Sequence, residues 1–240
     1  MRVALVTGAA GGIGSALVTR LDAQGYAVVG VDLEPSWESD TVAHVVGDVR
    51  DRYVLKGAVD FALARWGRLD VAVAAAAIIT GGRPLWETPE EELQELWDVD
   101  VRGVWNTAAV AVPAMLAGPA PHGCRFVAVA SAAGTYGLFH LAGYNAAKHA
   151  VVGLVKGLAA DLVATGVTAV AVSPGSTNTP MLDETADLYG ISDPVIFSNN
   201  QLLRRLLDPD EVAATIAFCC SVEGAALNGS VVHADGGFRP

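Results

Sequence analysis

The stretch Val3-Ala4-Leu5-Val6-Thr7-Gly8-Ala9-Ala10-Gly11-Gly12-Ile13-Gly14 decides how this chain folds. A short apolar run stops at a threonine, gives way to glycines, and continues into the helical pattern Ala16, Leu17 and Leu21, which closes at Gln24-Gly25. Strand, glycine turn and helix in that order open an α/β unit. The glycines have a physical purpose there. A pyrophosphate docked on a helix N-terminus needs backbone N–H groups to approach it with no Cβ in the way, and the helix dipole favours its negative charge. Gly8, Gly12, Ile13 and Gly14 are therefore candidates for holding a dinucleotide.

The next apolar run, Ala27 to Val31, ends at Asp32, 18 residues past Gly14. An acid at the tip of a second strand can accept from both ribose hydroxyls of an adenosine and repels a 2′-phosphate, so NAD is expected rather than NADP. Val42 to Val46 reads as the third strand, leading to Asp48-Val49, where Asp48 is placed to face the adenine edge or to cap the next helix. Asp51 is the expected N-cap of a helix that ends at Trp66-Gly67. Leu69 to Ala74 reads as the fourth strand, and the small residues Ala74 to Ala77, Ala75 among them, let a cofactor or another backbone come close.

Thr88-Pro89-Glu90-Glu91 opens a long helix with acids in its first turn. It is expected to kink at Pro113 and to turn Leu93, Leu96, Trp97, Val104 and Trp105 toward packing partners within the fold or between subunits. Phe126 to Ala130, Val167 to Val172 and Ser230 to His233 complete the strands. Segment 181–207 is polar, irregular and mixed, which suits a substrate lid. The expected architecture is one Rossmann-type α/β domain over residues 1–240, a doubly wound and mostly parallel seven-stranded sheet with helices on both faces.

Composition narrows the class. The longest uninterrupted apolar run, Val71 to Ile79, is nine residues, under half of the ~20 that span a bilayer. No membrane span is expected, nor is there a signal-peptide core at the N-terminus, so a cytoplasmic location is expected. A net charge of −11 without any run of Lys or Arg argues against nucleic acid or anionic lipid as partners. Cys124, Cys219 and Cys220 have neither metal-ligand nor disulfide-framework spacing and read as buried thiols; the histidines form no metal motif, so no metal is expected.

Chemistry enters at Ser131, Tyr144 and Lys148. A helix from about Gly143 puts Tyr144 and Lys148, four apart, on one face. Ser131 follows the fifth strand and so sits at the sheet edge where ligands bind in such folds. The competing reading is a half-buried Tyr beside a snorkelling Lys; Ser131 and the glycine loop argue against it. At the same edge the sixth strand runs into Ser173-Pro174-Gly175-Ser176-Thr177-Asn178-Thr179-Pro180.

In these residues the chain resembles the short-chain dehydrogenase/reductase family over essentially its whole length. The family's TGxxxGxG falls on Thr7 to Gly14, its strand-end acid on Asp32 and its Asp-Val on Asp48-Val49. Its Ser, Tyr and Lys fall on Ser131, Tyr144 and Lys148, and its Pro-Gly turn with a Thr on Pro174, Gly175 and Thr179. The resemblance implies hydride transfer between a nicotinamide and a secondary alcohol or ketone, with Tyr144 as general acid/base and Ser131 positioning the substrate oxygen. It also implies that Lys148 holds the nicotinamide ribose, that Thr179 and the backbone near Thr177 orient the carboxamide, and that the protein is a homotetramer or homodimer.

Two positions depart from the family pattern. Ala74 to Ala77 stand where Asn-Asn-Ala-Gly is usual, removing side-chain amides that tie strands together. Asp100 stands where the fourth catalytic residue is usually Asn; an ionised Asp donates no hydrogen bond, and an ion pair with Lys148 is expected to be within its reach. The phrases AAAAIITGGRPLWE, VDVRGVWN and SPGSTNTPML are further similar to a subgroup associated with the peptide-derived redox carrier mycofactocin, which implies a nicotinamide held through turnover and an external redox partner. A reading of another class is a protein that binds NAD as a sensor or scaffold without turnover; the two departures are its support.

Overall fold

The computed structural model describes residues 1–240. Seven strands, β1 (Val3–Thr7), β2 (Ala27–Asp32), β3 (Val42–Val46), β4 (Val71–Ala74), β5 (Arg125–Val129), β6 (Thr168–Pro174) and β7 (Val231–Ala234), form one sheet in the order β3-β2-β1-β4-β5-β6-β7. Every neighbouring pair is parallel. The chain winds outward from β1 to β3 and then returns to place β4 on the other side of β1. The strand order therefore reverses between β1 and β4, and a crevice opens at their C-terminal ends.

Parallel strands need crossovers, and the helices that supply them cover both faces. They are α1 (Gly12–Ala23), α2 (Arg52–Trp66), α3 (Glu90–Leu96), α4 (Arg102–Leu116), α5 (Ala142–Asp161), α6 (Pro180–Leu188) and α7 (Pro209–Cys220). The alternation of side chains along each strand divides the core in two. Val3 and Leu5 join Leu55, Val59, Met115, Phe126, Val151 and Val155 under α2, α4 and α5. Ala4 and Val6 join Leu17, Leu21, Val127, Val170 and Ile216 under α1 and α7. Burying each large aliphatic side chain contributes about 1.5–3 kcal/mol.

Local signals act largely as expected. Asp51 caps α2 by accepting from Tyr53 N at 2.8 Å, and Gly67 ends it at φ 74°. Asp208 and Glu211 form a reciprocal capping box on α7. Three expectations need correction. The fourth strand starts at Val71, not Leu69, because the buried Asp70 carboxylate, paired with Arg68, takes the Val3 N–H at 2.8 Å in place of a backbone carbonyl. The long helix continues past Pro113 to Leu116, with the carbonyl four residues back, on Ala109, on the exposed side where water can satisfy it. Its interruption comes earlier, as a π turn over Trp97–Val101. Segment 181–207 is not irregular throughout, since α6 starts with Pro180 at its first position and Pro194–Asn200 forms a 3-10 turn.

The helix around the π turn also has two sides rather than one. Leu96 and Val104 are buried in the fold, whereas Leu93, Trp97 and Trp105 are exposed. No helix is long and apolar enough to cross a membrane.

Candidate active site

The C-terminal ends of the strands enclose a cleft of about 830 Å³. All but one of the residues singled out from the sequence line it: Gly8, Gly12, Ile13, Gly14, Asp32, Asp48, Val49, Ala75, Ser131, Tyr144, Lys148, Pro174, Gly175, Thr177 and Thr179. The exception, Asp100, lies fully buried behind the wall that Lys148 forms.

One half of the cleft is built from backbone. The N-terminus of α1 has no side-chain cap and no acid in its first turn, so its free N–H groups are available to an anion. The turn depends on the absence of a Cβ at Gly8, Gly12 and Gly14. Gly8, at φ 69°, would place one 2.7 Å from Ala76 N, and Gly14 would place one 1.9 Å from Gly8 O. A Cβ on Gly12 would fill the space beside Thr179, 2.5 Å from its Cγ2. The close approach of another backbone to Ala74–Ala77 is thus the glycine turn itself. Thr7, which is buried, ties the two together: its Oγ1 accepts from Ala75 N at 3.1 Å and Ala76 N at 3.3 Å. A side-chain tie therefore persists where the usual amides are missing.

Asp32 sits at the end of β2, where Oδ2 accepts from Ala10 N at 2.8 Å and Oδ1 from Glu34 N at 3.3 Å. Asp48 does not cap α2. Its Oδ2 is gripped by Arg50 Nε and Nη2, at 2.8 and 2.6 Å, and the hydrogen bonds from Arg50 hold the carboxyl below its ordinary range, against a smaller upward push from burial. An uncapped helix start, glycines that leave a cradle, and a carboxylate at the β2 tip fit the diphosphate and adenosine ribose of a nicotinamide dinucleotide.

The other half is built from side chains. A small apolar cluster of Leu96, Val101, Ala133, Leu141, Tyr144 and Ala147 joins the π turn to the turn after β5 and to α5. Ser131 caps that turn, accepting from Ala133 N at 3.1 Å. Gly134 lets the turn close on α5, since a Cβ there would lie 2.9 Å from Lys148 O. These contacts bring Ser131 to the face of α5 that carries Tyr144 and Lys148.

Lys148 Nζ stands 5.4 Å from the centre of the Tyr144 ring and 3.0 Å from Asp100 Oδ2. The approach to Oδ2 is close but poorly directed for a hydrogen bond, so the contact acts as an ion pair. Asp100 Oδ1 accepts from Ile78 N at 2.9 Å. Burial pushes the Tyr144 hydroxyl above the ordinary phenol value; the Lys148 ammonium opposes this, Asp100 adds to it, and Ser131 pulls slightly down. Burial works against the Lys148 charge, yet Asp100, with a smaller help from Tyr144, holds the ammonium above its ordinary value.

Three segments, the expected lid and the loops around Gly82 and Phe139, close the cleft beside Tyr144. Tyr189 at the end of α6 donates to Phe139 O, and Gly82 N donates to His140 O at 2.9 Å. Gly82 also packs so tightly on Leu188 that a Cβ would lie 2.3 Å from its carbonyl. Ile78, Ile79, Leu138, Phe139, Tyr189 and Phe197 make this end of the cleft apolar. The only signal for it in the sequence was a set of large apolar residues in polar, loop-like stretches.

The family whose profile is described as enoyl-(acyl carrier protein) reductase matches residues 8–239. The A-factor type gamma-butyrolactone 1'-reductase of Streptomyces virginiae is 33% identical over 253 residues, covering 99% of this chain and 95% of that protein. The chain belongs to the short-chain dehydrogenase/reductase family. Another family relative, the (-)-trans-carveol dehydrogenase of Rhodococcus erythropolis, is 31% identical over 98% of this chain and 96% of its own length. Among solved family structures, the 3-ketoacyl-(acyl-carrier-protein) reductase of Brucella melitensis complexed with NADH superposes with a TM-score of 0.88 at 30% identity, over 98% of this chain and 97% of that one. The chain is thus an oxidoreductase of this family with a Rossmann-type nucleotide-binding fold.

Proposed function

We propose that the protein is an NAD(H)-dependent oxidoreductase that interconverts an uncharged secondary alcohol and its ketone, with Tyr144 as the general acid/base. The observation that carries this reading is the side-chain constellation facing the cleft: a buried phenol, an adjacent ammonium and a serine, opposite a glycine cradle. The nicotinamide, when bound, supplies or accepts the hydride. Gly8 to Gly14 hold its diphosphate, Asp32 its adenosine ribose, Lys148 the other ribose, and Pro174, Gly175, Thr177 and Thr179 the carboxamide end. Tyr144 gives its proton to the substrate oxygen in reduction and takes it back in oxidation, while Ser131 orients that oxygen.

Charge supports both NAD and a neutral substrate. The two cations that line the cleft, Arg50 and Lys148, are each paired with an acid, Asp48 and Asp100. Asp32, Glu34, Glu95 and Glu184 add negative charge to its walls. Neither a 2′-phosphate nor a carboxylate or phosphate on the substrate finds a free cation there. Segment 181–207 acts as the lid over the apolar end, and the exposed Leu93, Trp97 and Trp105 serve a dimer or tetramer contact in the cytosol. The likeness to mycofactocin-associated sequences supports a nicotinamide that stays bound and is reoxidised by an external carrier.

A panel of neutral cyclic and branched ketones, followed by loss of NADH absorbance, tests the reading. The wild type reduces members of the panel, and Tyr144→Phe loses roughly a thousandfold or more in kcat, within the range ascribed to a positioned acid. A Tyr144→Phe variant as active as the wild type removes Tyr144 from the chemistry.

A further inference from the structure

Asp100 is a carboxylate in contact with the ammonium of the candidate site, and its only directed hydrogen bond comes from Ile78 N. Both it and Lys148 are almost wholly out of water, at 0% and 2% side-chain exposure. A buried acid within 3.0 Å of a buried ammonium changes what that ammonium can do to a third group, because its opposite field offsets part of the ammonium's own. The third group is Tyr144, one turn away on α5. We propose that Asp100 is a positioning residue that keeps Tyr144 a proton donor by taking up the charge of Lys148, which would otherwise draw the tyrosine toward phenolate.

No other charge competes for this part. The turn after β5 offers Ser131, and β6 has no ionisable side chain. Arg125 is at the far end of β5, where its guanidinium donates to Cys124, Ser221 and Val222 carbonyls. On α3 and the π turn, Glu92 is paired with Arg83 and Asp98 with Arg102, while Glu95 stands on the exposed wall. The roof brings Tyr189 and His140, and α6 brings Glu184 at the cleft edge. Only Lys148 and Asp100 act on Tyr144 through their charge, in opposite directions. The π turn is what sets Asp100 there: both Asp100 and Val101 face inward at the widened turn.

The consequence is directional. A tyrosine that stays protonated at neutral pH is ready for reduction, in which a carbonyl carbon takes a hydride, with two electrons, from a reduced nicotinamide and the carbonyl oxygen takes the Tyr144 proton, giving the alcohol. The phenolate left behind is reprotonated from solvent. This consequence rests on the role given to Tyr144 under Proposed function, whereas the effect of Asp100 on the phenol does not.

The test is an ultraviolet difference titration of tyrosinate on the full chain, with Tyr144→Phe in each background subtracted to isolate the Tyr144 band. Asp100→Asn keeps size and an acceptor for Ile78 N while removing the charge, and it should lower the Tyr144 midpoint by about one pH unit or more. Asp100→Ser carries the same test if the Asn variant does not fold. Equal midpoints with and without the carboxylate, or a higher one without it, overturn the proposal. In turnover, Asp100→Asn should move the alkaline limb of NADH-dependent ketone reduction down in parallel. A midpoint that shifts while no ketone in the panel is reduced upholds Asp100's effect and sinks the catalytic reading of Tyr144 instead.

Discussion

Replacing Gly14 by alanine tests the geometry of the glycine turn with a single methyl group. The new Cβ would sit 1.9 Å from Gly8 O, 2.8 Å from Gly8 C and 3.2 Å from Ala9 Cα. Ordinary contact begins at 3.4 Å, so the gap from 1.9 to 3.4 Å demands a relative backbone shift of about 1.5 Å. Gly8 has little room to retreat, because the backbone of Ala75 and Ala76 crowds its other side so closely that even a Cβ on Gly8 would lie within 3 Å of it. Overpacking of this kind costs about 1–3 kcal/mol, and the gain of alanine over glycine in a helix, up to about 1 kcal/mol, offsets part of it. A net loss of about 1–2 kcal/mol lowers Tm by roughly 2–8 °C in a chain of this size. The shifted N–H groups also weaken NADH binding by tenfold or more. Thermal melting and calorimetric titration with NADH measure both. Gly57→Ala is the control: it is an exposed position in α2 with nothing within 4 Å of its Cβ, so it should stabilise by up to about 1 kcal/mol. A Gly14→Ala protein that melts and binds NADH like the wild type refutes the close-approach argument.

Two further outcomes follow from charge and burial. Asp32→Ala removes the acid at the β2 tip and the acceptor for Ala10 N, so NADH affinity falls, NADPH affinity does not, and the preference between them narrows in paired titrations. The cysteine thiols are all buried, with Cys124 and Cys219 pushed up to about 11 and Cys220 higher still by burial. They should therefore stay silent to a chromogenic disulfide at pH 8 and react together only on unfolding; rapid reaction of any of them in the folded protein contradicts this burial.

The parts of the molecule that could be read from sequence are those whose cause is local. Thr7 to Gly14, the Asp51 cap and the Asp208-Glu211 box are decided by residues within one turn of each other, and so they were legible. The parallel sheet followed from apolar runs alternating with helical periods, and the structure makes every pair parallel where mostly parallel was expected. What escaped depends on residues far apart in the chain. The Thr7 tie to Ala75 and Ala76 needs the register of β1 against β4, and the Asp100 bond to Ile78 N needs the π turn to face the loop after β4. The start of β4 depended on a carboxylate turning toward β1. The helix α6 is a different matter. Thr179-Pro180 followed by Asp183 carries an N-cap, a proline at the first position and an acid in the first turn, a signal that the polar composition of the segment obscured.

The central claim, that this cleft takes a nicotinamide dinucleotide and prefers the one without a 2′-phosphate, is tested most directly by equilibrium titration of the wild-type protein. NADH fluorescence and calorimetry should give one site per chain, with NADPH at least about tenfold weaker, since Asp32 and the paired cations leave its extra phosphate without a partner. Equal or tighter binding of NADPH, or no binding of either, would contradict it.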